Sequence, residues 1–94
     1  MNDKEIRDTL IKLAYEKARQ IGYIKVAKVN PGEIDKFKEL EKNILGFNVD
    51  YLVGSGLLEY ADGQGSIVIT PHGIDYFENK KDQSNKWRLL CKSM

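Results

Sequence analysis

The sequence predicts a single α+β domain, with helices first and a two-stranded hairpin and closing helix last. Three observations predict it. Residues 3–20 keep their apolar side chains on one helical face. Residues 51–78 read in order as a helix end, a glycine stop, a strand, a tight turn, a second strand and a newly capped helix. The chain has 94 residues, room for one core and no more.

The first helix is expected from about Asp3 to Gln20, with Asp3 as its cap and Gly22 as its stop. Ile6, Leu10, Leu13, Ala14 and Ile21 would form its buried face. Tyr23 to Val29 alternates loosely and reads as a short strand or extended connector. Asn30-Pro31-Gly32-Glu33 carries a cap, a first-turn proline and a capping-box carboxylate, so a helix is expected to start there. Ile34, Phe37 and Leu40 would line it. From there the spacing allows one long helix over 31–55, or a turn near Glu41–Asn43 and a separate helix. That separate helix would bury Ile44, Leu45, Val49, Leu52 and Val53 and end at Gly54-Ser55-Gly56.

Leu57–Ala61 and Ser66–Thr70 read as strands joined by Asp62-Gly63-Gln64-Gly65, with Ile67 and Ile69 inward and Val68 outward. Thr70-Pro71 repeats the cap-plus-proline signature and opens a last helix carrying Ile74 and Phe77. One core is expected from Leu10, Leu13, Ile34, Phe37, Leu52, Leu57, Ile67, Ile69 and Phe77. Residues 1–81 would form the domain and 82–94 a basic C-terminal tail. In that tail Trp87, Leu90, Cys91 and Met94 make an apolar stripe on a two-turn helix, which is too short to stand alone in water.

Two runs carry a family resemblance. They are Asp50-Tyr51-Leu52 with Gly56-Leu57-Leu58-Glu59-Tyr60, and Ile67-Val68-Ile69-Thr70-Pro71-His72-Gly73-Ile74-Asp75-Tyr76-Phe77-Glu78. Together they resemble the C-terminal half of winged helix-turn-helix proteins, including MarR-, ArsR- and PadR-like prokaryotic regulators. The resemblance covers roughly Asn30 to Glu78 and speaks for the fold more than for one family. It implies that the helix of about 43–55 is the recognition helix, that 62–65 is the wing tip, and that the chain is a dimeric DNA-binding transcription regulator.

The charge distribution pulls the other way. Residues 1–28 carry seven Lys/Arg against four Asp/Glu, and residues 79–94 five against one. Residues 29–78 carry three against nine, a net −6. Phosphate contacts normally come from Arg and Lys, and the expected recognition helix and wing tip have none between Ile44 and Gln64. A DNA interface would therefore use Asn48, Tyr51, Ser55 and Gln64 near the bases, with Lys80, Lys81, Lys86 and Arg88 supplying charge. The alternative is a winged helix used for protein–protein interaction through its acidic face. A homodimer through the first helix or the tail would fit either reading.

Other classes find no support. There is no nucleophile elbow, phosphate-binding loop or zinc-protease motif, so the chain is expected not to be an enzyme. His72 is the only histidine and Cys91 the only cysteine, so no metal site or cofactor is expected. A single cysteine and a charged N-terminus suit the cytoplasm, and no apolar run is long enough for a membrane span.

Overall fold

The computed structural model describes residues 1–63 and 65–80. Its elements, in chain order, are helix α1 (Asp3–Ile21), two 3₁₀ turns (Pro31–Glu33 and Asp35–Phe37), helix α2 (Lys42–Gly54), strands β1 (Leu58–Tyr60) and β2 (Ile67–Ile69), and helix α3, described over 71–80. This is an α+β winged-helix arrangement, with a three-helix core and a two-stranded hairpin as the wing. The tail, and with it Lys81, Lys86, Arg88 and the Trp87 stripe, lies outside the described residues, as does Gln64.

Helix α1 is capped one residue earlier than expected. The Asn2 side chain accepts from Glu5 N–H at 2.8 Å, while the Glu5 carboxylate reaches back to Asn2 N–H. A full capping box thus satisfies two of the helix's free donors. Gly22 ends the helix in the left-handed region at φ 88°, as expected. The buried stripe is Ile6, Leu10, Ile11, Ala14 and Ala18. Ile11 therefore takes the place expected for Leu13, which is only half-buried, and Ile21 is exposed. A rotation of about 100° per residue makes that choice, and the sheet and α2 against which α1 packs decide it.

The helix expected from Asn30 is replaced by two 3₁₀ turns. Asn30 does cap, accepting from Gly32 N–H at 3.0 Å. Ile34 then turns extended at φ −79° and ψ 123°, which breaks the run. Ile34, Phe37 and Leu40 are spaced by three, the period of a 3₁₀ turn, where i and i+3 eclipse. The hydrogen bonds follow that period: Phe37 N–H donates to Ile34 C=O and Leu40 N–H to Phe37 C=O. A separate helix does begin near Glu41–Asn43 and ends at Gly54. There is thus neither one long helix over 31–55 nor a pair of α-helices.

Strands β1 and β2 pair antiparallel, Leu58 opposite Ile69 and Tyr60 opposite Ile67. Val29 bonds to the other edge of β2, exchanging two 2.8 Å hydrogen bonds with Ile67. The connector thus contributes a one-residue strand, and β2 becomes central. All three of its residues are buried, Val68 included, which corrects the expectation that Val68 faces outward. The core collects Leu10, Phe37, Leu52, Leu57, Ile67 and Ile69 as expected, with Ile34 and Phe77 packed at its edge.

Thr70 and Gly73 seat α3. Thr70 Oγ1 accepts from Gly73 N–H at 2.9 Å and donates to Gly56 C=O, so one hydroxyl caps α3 and pins it to the turn after α2. A Cβ at Gly73 would stand 2.1 Å from Leu57 C=O and 2.8 Å from Ile69 Cγ1. Gly73→Ala must therefore push α3 off the hairpin. It should lower unfolding stability by about 1–3 kcal/mol, measured by urea denaturation. An unchanged midpoint would mean α3 does not sit this close.

Two polar contacts tie α3 back to α1. Tyr15 O–H donates to Glu78 Oε2 at 2.7 Å, with the Tyr15 ring 4.5 Å from that of Phe77. Lys80 Nζ donates to Asp8 Oδ1 at 2.8 Å. The hydrogen bond to Glu78, then burial, then the Glu78 charge raise the Tyr15 pKa above its ordinary 10.0. The bond to Asp8 raises Lys80 above 10.5, against the opposing effect of burial. Both groups hold their protons more tightly when folded, so their stabilisation is complete below the unfolded pKa values and is lost as pH climbs through the folded ones. The urea midpoint of wild type should exceed that of Tyr15→Phe at neutral pH. That gap should close above roughly pH 10. A gap that does not begin to narrow as pH rises past roughly 10 would remove Tyr15 from this role.

Candidate binding face

Which face of helix α2 is exposed follows from what the helix buries. Leu45, Val49, Leu52 and Val53 turn toward the core or its edge, which leaves Asn43, Phe47, Asp50 and Gly54 on the solvent side. Phe47 is 59 % exposed at the middle of that side, with Tyr51 beside it at 50 %. After Lys42, its first residue, α2 has no Arg or Lys.

Asn48 belongs to the interior. It is 0 % exposed, the one buried polar residue among those described. Arg7 Nε donates to its Oδ1 at 2.9 Å, and its Nδ2 donates to Asp3 Oδ1 at 3.1 Å and to Ile44 C=O at 2.9 Å. Both ends of the amide are satisfied inside the fold, so Asn48 cannot read a base edge as expected. Polarity on a helix points outward by default, but here Arg7 and Asp3 of α1 and the Ile44 carbonyl of α2 supply partners inside. Arg7 does double service: its guanidinium also lies over the Tyr51 ring, 3.7 Å from the centroid.

The other expected residues separate. Tyr51 and Ser55 are a turn apart and share a recess with Lys4 and Arg7. The Ser55 hydroxyl is turned back, donating to Tyr51 C=O at 2.8 Å. Lys80 belongs to the α1–α3 junction, paired with Asp8. Gln64, Lys81, Lys86 and Arg88 lie outside the described residues.

A groove of about 290 Å³ opens between α2 and the wing. Pro31, Leu45, Gly46, Val49, Tyr60 and Gly65 line it, with Asn30 and Lys42 at its polar positions. Gly46 leaves the α2 wall bare. A Cβ there would meet nothing within 4 Å, and its φ is not positive, so neither crowding nor backbone shape requires glycine. Glycine inside a helix costs about 0.5–1 kcal/mol relative to alanine, and nothing within the described fold offsets it. At the rim, Tyr60 O–H makes a long 3.4 Å contact with Asp50 Oδ1. Burial, then the Asp50 charge and this contact, raise the Tyr60 pKa.

Phe47, Arg7 and Gly46 were not singled out in the sequence. Placing Val49 and Leu52 inward would have identified Phe47, since 43, 47, 50 and 54 fall opposite them. The Arg7 contacts span 41 residues and leave no local signal. Among the described residues no group of three His, Cys, Asp or Glu could hold a metal, and no helix is long and apolar enough to cross a membrane. No family model, curated protein or solved structure matches the chain.

Asn48→Ala removes both ends of this link and leaves Arg7 and Asp3 without their partner. It should cost about 1–3 kcal/mol, read as a lowered urea midpoint. A loss near zero would mean that the amide is solvated.

Proposed function

We propose that this winged helix is a protein-binding module whose α2 face and adjoining groove receive a segment of a partner protein. The observation that carries the reading is the composition of the exposed face: Phe47 and Tyr51 stand where a DNA reader needs cations, and Asn48 is turned inward. Half-exposed aromatic residues beside an apolar groove are the usual anchors of protein interfaces. Net −6 over residues 29–78 opposes a phosphate backbone and favours a segment carrying Lys or Arg. The anchor of that segment would be one aromatic or branched side chain, received over the bare backbone of Gly46.

The winged-helix fold keeps DNA binding as the second reading, with Lys4 and Arg7 beside Tyr51 as its described cations. Selecting a displayed random-peptide library on the wild-type protein separates the two. Peptides sharing an apolar anchor flanked by Lys or Arg are expected. Phe47→Ser, or Gly46→Leu filling the groove, should weaken a selected synthetic peptide about tenfold or more. Selection of nothing, together with tight and steeply salt-dependent binding of labelled duplex DNA, would overturn the reading in favour of DNA.

A further inference from the structure

We propose that the groove between α1 and α3 seats the chain's own C-terminal segment, residues 86–94. The groove has a volume of about 190 Å³ and is lined by Asp8, Ile11, Lys12, Tyr76, Phe77 and Lys80. Its floor is apolar: Ile11 belongs to the core, Phe77 packs at the edge of the core, and Tyr76 is 42 % exposed at the rim. Lys80 lies across one end, its Nζ bonded to Asp8 and 5.9 Å from the centre of the Tyr76 ring.

The occupant follows from where the described chain stops. Lys80 is both the last described residue and part of the groove wall. Beyond it come five residues, Lys81-Asp82-Gln83-Ser84-Asn85, and then Lys86-Trp87-Arg88-Leu89-Leu90-Cys91-Lys92-Ser93-Met94. Five extended residues span roughly 17 Å. Returning from Lys80 to Tyr76 covers about 6 Å of helix. The linker is polar and contains Asp82, Ser84 and Asn85, residue types that favour turns.

Trp87, Leu90, Cys91 and Met94 recur at i, i+3, i+4 and i+7, so a helix over 86–94 presents one apolar edge. Two turns gain order only by docking, and this groove is an apolar surface walled by Lys80, the residue from which the linker starts. A short tether gives the segment an effective concentration on the order of millimolar at its own groove, which favours it over the same segment of a second copy.

Trp87 is the only tryptophan, so its fluorescence reports this contact alone. Wild type should give a blue-shifted emission that does not change on dilution. Tyr76→Asp, at the exposed rim, should shift it to longer wavelength while the far-ultraviolet circular dichroism of the folded domain is retained. If that variant unfolds, a nitroxide on Lys12→Cys in a Cys91→Ser background gives a second reading: Trp87 should be quenched at every concentration. Water-exposed emission in the wild type would overturn the proposal. So would a blue shift or quenching that disappears on dilution, which would assign the groove to the segment of another copy.

Discussion

The arrangement of this fold depends on one buried amide. Asn48 sits fully inside, and an unsatisfied amide there would cost about 1–3 kcal/mol. Its oxygen takes Arg7 and its nitrogen takes Asp3 and the carbonyl of Ile44. Those contacts fix the rotation of α2 about its own axis relative to the first turns of α1. With Asn48 in, Val49 and Leu52 reach the core and Phe47 and Asp50 must look outward. Which face of α2 is exposed is therefore set from behind the helix. Arg7, held by Asn48, in turn lies over Tyr51 and limits the freedom of an aromatic that the face presents.

The second half of the chain is organised by close approach. Central strand β2 is paired by β1 on one edge and by Val29 on the other. Helix α3 comes so near the start of β1 that only a hydrogen fits at Gly73. Thr70 closes the same corner by capping α3 and holding Gly56, itself in the left-handed region at φ 80°. The run Ile-Thr-Pro-x-Gly thus has a physical account: strand end, cap, first-turn proline, and a glycine where backbone meets backbone. Its strength as a fold signal comes from each position answering to a separate local constraint.

That locality also marks what the sequence could reveal. The hairpin, the end of α2, Gly22 and the Thr70 cap were legible because each is specified within a few residues. The stretch 31–40 was misread because spacing by three satisfies both an α-helix and a 3₁₀ turn, and Ile34 takes an extended conformation that no single residue announces. Choosing Leu13 over Ile11 was an error of two residues, about 200° around the helix, decided by partners far along the chain. Asn48 was placed outside because polarity was equated with exposure, whereas its two α1 partners are 41 and 45 residues away. The exposed face was within reach of the sequence, since Phe47 and Asp50 lie opposite Val49 and Leu52, which were expected inward and are buried.

Three of the described cations have partners within the fold. Arg7 is committed to Asn48 and Tyr51. Lys28 stands 3.8 Å from Asp62, in the loop that joins β1 to β2. Lys80, on the α1–α3 side, is bonded to Asp8. For these cations to neutralise phosphates they would have to leave partners that hold the fold together or add to its order, and the gain would be reduced by that loss. A partner that brings its own Lys or Arg asks for no such exchange. In the proposed mode such a segment would meet Asp50 and the acidic middle of the chain, and its apolar anchor would take the groove beside Gly46. In this fold Arg7, Lys28 and Lys80 are engaged within the structure, while Phe47 and Tyr51 are turned to solvent.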